Sequence, residues 1–555
     1  MRARAADRID GTLGSLRKAA ALPRPRPRAT LAAAAAALLV LAVACGETAR
    51  RDEAVRDDLR AAMAAFPTSL SLIGKTDTNS EIIARLVTDS LVQYDATLAP
   101  RPRLAESWDL SADGREVTFH LRKGVLWHDG TEVTASDVVF TVRKVREPAT
   151  EARSAIGQFE SVESIEAPDP ATVRVRFKEP CADPLDPFTL PIVPEHVAGK
   201  DPDILTGRFA EHPVGCGPFR FVRAVPGREI VLEANPAYWD GAPSLRRITF
   251  TVLPDERTAY GALLRGDLDL LGVTPDVFRD AATNPQAARL RRFHYFMMST
   301  WYVGWNGDGS NPLFTDPSVR RAIVLALDRP AFIGAVLGGL ARPAVGTYHP
   351  DSAWANRSLE PWAYDPAEAA RLLDAAGWRM RPGGTRARDG VPFSFTLTVP
   401  AGSQEITDRI AAWFQESVRK IGVEVSIEKL EWRTFLERRR AGKFDAVMAR
   451  LNLSPSPDQF ELYHSSSRGR GMNFMGLADA ETDRLLEEGR RTVDPAARRK
   501  IYDRLQVRLH ELEPLSCLFG FAAPVLVDRR LEGVEPSPLG LWTVLPGPRA
   551  WRWRR

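Results

Sequence analysis

The residues of this chain that could carry out chemistry do not form complete catalytic or phosphate-binding motifs. Gly74-Lys75-Thr76 has the ending of a phosphate-binding loop, but Ser69 occupies the place of the required first glycine, so the backbone cradle for phosphate is missing. His120 and His128 have no second histidine or acid at ligand spacing, and neither HExxH nor GxSxG occurs in the sequence. We expect both histidines to be solvated or to stabilise turns.

Paired carboxylates could in principle serve as general acid and base, as in glycoside hydrolysis. Asp267 and Asp269 are such a pair, but they directly follow Gly266, which supplies a helix stop. We therefore expect them to be turn residues. These patterns together predict a protein that is not an enzyme and that uses no metal or other cofactor.

The first residues have the composition of an export signal. Basic residues within 17–28 precede an uncharged apolar run, 29–43, whose about fifteen residues are too few for a membrane-spanning helix. The run ends at Cys45 between small residues, which resembles a bacterial lipoprotein signal in which Cys45 is lipidated. Ala42 stands where the usual leucine is expected, with Leu41 one place early. Simple secretion and an uncleaved anchor are the alternatives.

Three cysteines, Cys181, Cys216 and Cys517, remain after such processing, and their spacing does not form a metal cluster. An exported chain permits a disulfide between Cys181 and Cys216, and buried free thiols are the alternative. The formal net charge of +4 over 555 residues is too small to indicate nucleic-acid binding. A chain of this length requires several domains or lobes.

Residues 104–145 form the most informative stretch, because nearly every residue in it has a local structural role. Apolar and polar residues alternate on both sides of a turn at 112–114, which predicts two strands paired as a hairpin. The alternating apolar residues are Trp108, Leu110, Val117, Phe119 and Leu121. Thr134 then supplies a helix N-cap with Asp137 three residues later. The stretch is a scaffold with no evident chemistry of its own.

This stretch resembles a block of the family 5 solute-binding proteins of ABC transporters, which capture dipeptides, oligopeptides, nickel complexes and some sugars. Gly215–Phe219, Asn235–Trp239 and the segment from Trp305 to Arg329 are also similar to that family. The resemblance extends over residues 60–546. It implies an α/β fold of type II periplasmic-binding-protein-like architecture, with two lobes and an additional domain inserted in the first lobe.

Periodicity and capping signals predict the individual elements. Apolar residues between 82 and 92 recur at helical spacing and predict one amphipathic helix ending at Tyr94-Asp95. Asp316-Pro317 and Asp365-Pro366 each predict a helix start, and Gly266 a helix stop. Further expected helices lie at 406–421, 432–440, 479–490 and 495–512, and expected strands at 248–252, 393–399, 423–427, 444–448 and 514–521. Residues 393–448 should therefore form a βαβαβ unit.

The expected segments follow from the resemblance. They are a signal sequence at 1–45, a flexible tether at 46–59, the first lobe at 60–81, 202–303 and 522–548, the extra domain at 82–201, and the second lobe at 304–521. A hinge is expected in the connecting strands, near Val303–Asn306 and Leu515–Phe521. Two lobes of this kind close over a solute by hinge motion.

The resemblance also implies candidate ligand contacts. Residues 431–445 are similar to the oligopeptide-binding members, which places Trp432 as a pocket aromatic and Arg439 as a cationic contact. The alternative is that Trp432 is a core residue and Arg439 a surface one. Further candidates by position are Tyr302, Trp305, Phe519, and Ser69 and Leu70 of the 67–70 loop.

The next segment departs from the peptide binders. They carry a Trp-x-x-Asp-like motif whose acid pairs with the α-amino group of the ligand, and in residues 450–458 that acid falls on Leu453 or Ser454. A buried ammonium without a partner is costly, so an ordinary zwitterionic peptide should lose its main anchor. With Arg450, Asn452 and Arg439 near the cleft, we expect a neutral or anionic solute, such as a modified peptide, an opine-like acid or an oligosaccharide.

The sequence thus predicts a solute-binding subunit of an ABC import system, exported and lipid-anchored at the extracytoplasmic face, monomeric, and partnered by a membrane permease. It would take a peptide-like or other small polar solute and no nucleic acid. A periplasmic hydrolase, and a sensor or chaperone that keeps the binding fold without transport, are the alternatives.

Overall fold

The computed structural model describes residues 57–73, 77–147, 159–201, 203–309, 311–401, 405–469 and 472–554. The strands are β1 (Asp58–Met63), β2 (Val92–Tyr94), β3 (Pro100–Pro102), β4 (Ala105–Leu110), β5 (Glu116–Leu121), β6 (Val162–Asp169), β7 (Thr172–Phe177), β8 (Phe219–Val225), β9 (Glu229–Ala234), β10 (Arg247–Val252), β11 (Leu270–Gly272), β12 (Leu290–Phe296), β13 (Ser299–Trp305), β14 (Ala341–Pro343), β15 (Arg379–Met380), β16 (Arg386–Arg388), β17 (Val391–Pro392), β18 (Ser394–Pro400), β19 (Glu424–Leu430), β20 (Ala446–Asn452), β21 (Leu515–Asp528), β22 (Leu531–Glu532) and β23 (Arg552–Trp553).

The helices are α1 (Thr78–Val87), α2 (Ala135–Arg146), α3 (Glu195–Ala198), α4 (Arg208–Glu211), α5 (Glu256–Arg265), α6 (Pro275–Asp280), α7 (Pro317–Leu325), α8 (Arg329–Leu337), α9 (Pro366–Ala375), α10 (Glu405–Arg419), α11 (Trp432–Arg440), α12 (Phe460–Tyr463), α13 (Ala480–Arg491) and α14 (Pro495–Leu512). Asp316 and Asp365 cap α7 and α9 with their side chains, each followed by proline, as predicted.

The predicted hairpin and helix of residues 104–145 are confirmed. Trp108 lies opposite Phe119 in the β4–β5 pair, and β7 and β6 extend this pair into a four-stranded sheet. The Asp137 carboxylate accepts the Thr134 backbone N–H at 2.9 Å, which fixes the start of α2. The apolar side of α2, including Val138, is buried.

Two larger sheets share β21. The first-lobe sheet places β1 in parallel between β10 and β11, with β9 and β8 added antiparallel. The second-lobe sheet pairs β18 in parallel with both β19 and β20, which confirms the βαβαβ unit, and β13 runs antiparallel to β20. Gly266 ends α5 at φ 84°, a backbone conformation that glycine adopts without strain.

The chain crosses between these sheets twice. Residues 515–519 of β21 pair with β13, whereas residues 522–528 pair with β12, so one continuous strand serves both lobes. The other crossing is at Met297-Met298, between β12 and β13. The predicted hinge segment Val303–Asn306 is wrong by several residues, because β13 pairs with β20 from Ser299 to Trp305.

Two expectations near the start of the fold are corrected. The predicted tether at 46–59 extends too far, because Asp58 and Leu59 belong to β1, where Leu59 pairs with Ile248 and is fully buried. The first helix ends at Val87 and does not continue to Tyr94-Asp95, whose first residue belongs to β2. Thr88 is extended, and its hydroxyl donates to the carbonyl of Ile192 at 3.0 Å, a tertiary bond that periodicity cannot reveal.

Candidate functional site

Strand direction identifies the edges of the two sheets where a ligand would bind. In open α/β sheets, ligands bind outside the carboxyl ends of the parallel strands. The strands β18, β19 and β20 end at one edge of the second-lobe sheet, where antiparallel β13 begins. In the first-lobe sheet, β1, β10 and β11 end at the edge where β21 enters. The crossings therefore join the two carboxyl edges.

Arg450 and Asn452 lie at this edge of the second-lobe sheet, at the end of β20. They are paired across the strands with Trp301 and Ser299 of β13. Both side chains are exposed, and neither forms a side-chain hydrogen bond or ion pair with the residues that the structure describes. Burial nevertheless lowers the pKa of Arg450, which indicates a guanidinium lying in a recess of the surface.

Trp432 lies at the same edge, because it starts α11 directly after β19. Its side chain is 51 % exposed and stacks on Phe435 with ring centroids 5.7 Å apart. Glu431 caps the helix by accepting the N–H groups of Arg433 and Thr434. Trp432 is thus an exposed aromatic on a fixed helix start, and the alternative that it is a core residue is wrong.

Two of the predicted wall residues belong to the core of the second lobe. Trp305 is 1 % exposed, and its indole N–H donates to the Ser516 hydroxyl at 2.8 Å. Phe519 is fully buried and stacks on Phe332 with ring centroids 5.8 Å apart. In this structure neither side chain has surface to offer a ligand, because the helices on this face of the sheet cover both.

Arg439 and Tyr302 bind each other on the opposite face of the sheet. The Arg439 guanidinium donates to the Tyr302 hydroxyl at 3.0 Å and lies over the Phe474 ring at 4.8 Å. Tyr302 is fully buried, and burial raises its pKa, although Arg439 opposes that effect. Both expectations for Arg439, a ligand contact or a plain surface residue, miss this interaction.

Ser69 and Leu70 lie on the loop that follows β1, at the carboxyl edge of the first-lobe sheet. The Ser69 hydroxyl donates to the Leu205 carbonyl at 3.3 Å and accepts the Ser71 N–H at 3.0 Å. Leu70 is 9 % exposed and packs in the hydrophobic core of the first lobe. The loop borders the edge as expected, but these two side chains hold the loop in place.

A contact between the lobes was missed by sequence reasoning. Asp183, between β7 and α3, accepts the Ser456 hydroxyl at 2.7 Å and two Arg498 hydrogen bonds at 2.6 and 2.5 Å. Burial would lower the pKa of Arg498, but the carboxylate of Asp183 outweighs it and raises that pKa. Ser456 lies on the loop after β20, so the contact adjoins the candidate site.

The remaining chemical candidates are structural. The Asp269 carboxylate is buried and pairs with Arg60, whereas that of Asp267 is exposed and pairs with Arg265, so the two carboxylates do not form an acid and base pair. The His128 Nε2–H donates to the Gly217 carbonyl at 3.0 Å, and burial lowers the pKa of His128 to about 4.

Cys181, Cys216 and Cys517 are free thiols, so the disulfide alternative is wrong. Within the described ranges, His, Cys, Asp and Glu do not come together in a group able to hold a metal ion. Gly74-Lys75-Thr76 and Cys45 lie outside the described residues. In that described part of the chain, no helix combines the length and apolar character needed to cross a membrane.

The two lobes, the shared strand and the opposed carboxyl edges define a type II periplasmic-binding-protein fold, which confirms the predicted class. The chain belongs to the bacterial extracellular solute-binding proteins, family 5, whose middle region matches residues 99–473. Its role is therefore solute binding, as the sequence predicted.

The relatives agree with this assignment. The chain is 36% identical over 459 residues to Protein XP55 of Streptomyces lividans, covering 80% of each chain. It is 31% identical over 487 residues to the oligopeptide-binding protein AppA of Bacillus subtilis, covering 85% of this chain and 88% of AppA.

Two solved structures have the same fold. The B. subtilis AppA complex with a nonapeptide superposes with a TM-score of 0.75 at 29% identity, covering 90% of this chain and 99% of that one. NikA of Brucella suis in complex with Fe(III)-EDTA gives a TM-score of 0.79 at 26% identity, covering 90% and 100%.

Proposed function

We propose that this protein is the solute-binding subunit of an ABC import system, which closes its two lobes over a peptide-like or other small polar solute and delivers it to a membrane permease. The observation that carries this proposal is the junction of the two carboxyl edges at the crossings, where Arg450, Asn452 and Trp432 present exposed side chains. The peptide-binding relatives support the ligand class.

Thermal denaturation against a panel of peptides, organic acids and sugars tests this proposal. A genuine solute at a hundred times its dissociation constant should stabilise the folded protein by about 2.7 kcal/mol. Uptake of the same solute by cells should require both this protein and the permease. Binding without uptake would favour the alternative of a sensor or chaperone.

The proposed location of the binding site depends on Trp432, Arg450 and Asn452. Trp432→Ala and Arg450→Ala should weaken binding while the far-ultraviolet circular dichroism and the unfolding temperature stay close to those of the original protein. Arg433→Ala is the matched control, because Arg433 neighbours Trp432 but its side chain is 86% exposed and pairs with Glu437. Unchanged affinity in both cleft variants would place the site elsewhere.

The protein releases its solute chemically unchanged in this proposal. Mass spectrometry of each bound panel member after prolonged incubation should recover it intact. Cleavage that a single carboxylate substitution abolishes would instead establish the hydrolase alternative.

We further propose that the chain is exported and held at the extracytoplasmic face by a lipid on Cys45, as a monomer. The uncharged run 29–43 before Cys45 supports this location. Labelled palmitate should enter the protein and be lost in Cys45→Ser, and a variant beginning after Cys45 should elute from a sizing column as a single chain. Retained label in Cys45→Ser would remove the anchor.

A further inference from the structure

Three polar side chains meet at the crossing, and none of them forms a side-chain hydrogen bond with the residues that the structure describes. Arg450 and Asn452 lie two residues apart on β20 and therefore point to the same face of the sheet. Ser299 is the first residue of β13 and lies directly opposite Asn452. Residues opposite each other on neighbouring antiparallel strands have β-carbons about 5 Å apart, so these side chains can act on one ligand group.

Their hydrogen-bonding capacity is unused within the described part of the chain. The Ser299 residue is 4 % exposed, and its hydroxyl oxygen is buried without a hydrogen-bond partner there. A buried polar group without a partner destabilises a fold, so the Ser299 hydroxyl would gain by donating to a ligand or a water. Asn452 adds an amide beside it.

The charge at this position is also uncompensated. Burial is the single cause acting on the Arg450 pKa among the described residues, with no carboxylate contributing. By comparison, the buried Arg498 has Asp183 as its counter-ion, and the buried Arg320 donates to the backbone carbonyls of Leu512 and Glu513. A guanidinium in a recess with no counter-ion favours an anion, and its planar fork of N–H donors matches a carboxylate best.

The carboxylates near this loop are already occupied. Asp458 accepts Arg490 at 2.8 Å, and Asp183 accepts Arg498. Leu453, one of the two positions where peptide binders carry their acid, contributes only its backbone N–H to the Met298 carbonyl at 2.8 Å. A ligand ammonium would therefore lack the anionic partner that a ligand carboxylate finds in Arg450.

We propose that Arg450, Asn452 and Ser299 form a carboxylate-binding subsite, so that the solute is anchored by an acidic group and not by an amino group. Arg450 forms the bidentate ion pair, and Asn452 and the Ser299 hydroxyl donate to the remaining oxygen lone pairs. This subsite rests on the proposed solute-binding function and specifies which end of the solute the second lobe holds.

Three pools of tripeptides test it by thermal shift and calorimetry: N-acetylated with a free carboxylate, C-terminally amidated with a free amine, and blocked at both ends. Short-chain dicarboxylates and neutral oligosaccharides complete the panel. Binding is expected from the acids alone. Arg450→Gln should weaken that binding by about 10- to 100-fold, the factor that a hydrogen bond to a charged group represents, whereas Arg433→Gln should leave it unchanged.

The outcomes of these experiments distinguish failure of the carboxylate subsite from failure of the proposed function. Equal binding of amidated peptides or neutral sugars, indifferent to Arg450→Gln, would leave solute capture standing and overturn the carboxylate subsite. Failure of every panel member to bind would overturn the subsite together with the proposed function. Without any ligand, Arg450→Gln should keep or raise the unfolding temperature, and a fall of several degrees would show that Arg450 is structural and overturn the subsite.

Discussion

Arg498 of α14 and Asp183, on the segment between β7 and α3, bind each other across the two lobes through paired hydrogen bonds of 2.6 and 2.5 Å. The Arg498 side chain is 4% exposed and that of Asp183 26%. The same carboxylate accepts the Ser456 hydroxyl on the loop beside the candidate site. The contact therefore stabilises the lobes in the arrangement seen here.

Asp183→Asn should weaken this interlobe contact. The amide keeps one acceptor but removes the charge that compensates a buried guanidinium, so the free energy of unfolding should fall by about 2 kcal/mol. Small-angle scattering of the protein without solute should also show a larger radius of gyration.

Glu179→Gln is the matched control, because Glu179 also reaches across the lobes, to Arg491, but is 64% exposed. Exposed pairs contribute little, so this variant should stay within about 0.5 kcal/mol of the original protein. Equal effects of the two substitutions would argue against a specific role for Asp183.

Phe519→Ala should lower the free energy of unfolding much more than Trp432→Ala, because Phe519 is a core residue and Trp432 lies at the edge of the sheet. Phe519 is fully buried, so its truncation should cost about 3–5 kcal/mol of unfolding free energy in a urea titration. Trp432 is 51 % exposed and loses mainly its stacking on Phe435, about 1 kcal/mol. A large loss from Trp432→Ala would mean that the indole is part of the core after all.

Glu513 should make stability depend on pH. Burial raises its pKa from 4.5 to about 7, against hydrogen bonds from Ser516 and Trp362 and the charges of Arg329 and Arg320. The folded state thus holds a proton that the unfolded state releases between those two pH values. This stabilising contribution is complete below pH 4.5 and is lost as the pH rises through about 7, a difference of about 3 kcal/mol for a shift of this size.

Urea unfolding at pH 4.5, 6 and 8 measures that dependence. Relative to Glu513→Gln, which cannot titrate, the original protein should become progressively less stable as the pH rises. Glu511→Gln is the control, because Glu511 is 60% exposed and should leave the dependence intact. Parallel pH curves for the original protein and Glu513→Gln would contradict the assignment.

The thiols should be free and protected. Burial raises the pKa of Cys181 to about 11 and that of Cys216 to about 12, so neither forms a reactive thiolate near neutral pH. A chain lacking Cys45 should react slowly with Ellman's reagent when folded and should expose all of its remaining thiols in denaturant. A lower unfolding temperature in dithiothreitol would indicate a disulfide instead.

Local patterns predicted much of the fold because they depend on neighbours in the chain. The Thr134 cap with Asp137, and proline after Asp316, act within one helical turn, and the structure has both. Arg498 and Asp183 are 315 residues apart in sequence, so no local sequence pattern could have predicted their contact. The end of α1 was missed for the same reason, since Thr88 bonds a distant carbonyl.

The candidate site was predicted in outline and less well in detail. Tyr302 and Trp305 are three residues apart on one strand, so they cannot face the same cleft, and alternation could have shown this. Arg450 and Asn452 are two residues apart on β20, so they point to the same face, and both are exposed at the carboxyl edge. Arg439 could not be placed from sequence, because its partners Tyr302 and Phe474 come from separate segments.

The continuity of β21 limits how the lobes can move. The Met297 N–H donates to the Phe521 carbonyl at 3.0 Å. This hydrogen bond joins the two segments that cross between the lobes into one two-stranded ribbon. A ribbon of this kind bends and twists but resists sliding and stretching. The lobes should therefore open by rotation about a single hinge axis. Ser299 and Arg450 lie close to that axis, so they should move less than other residues when the lobes open.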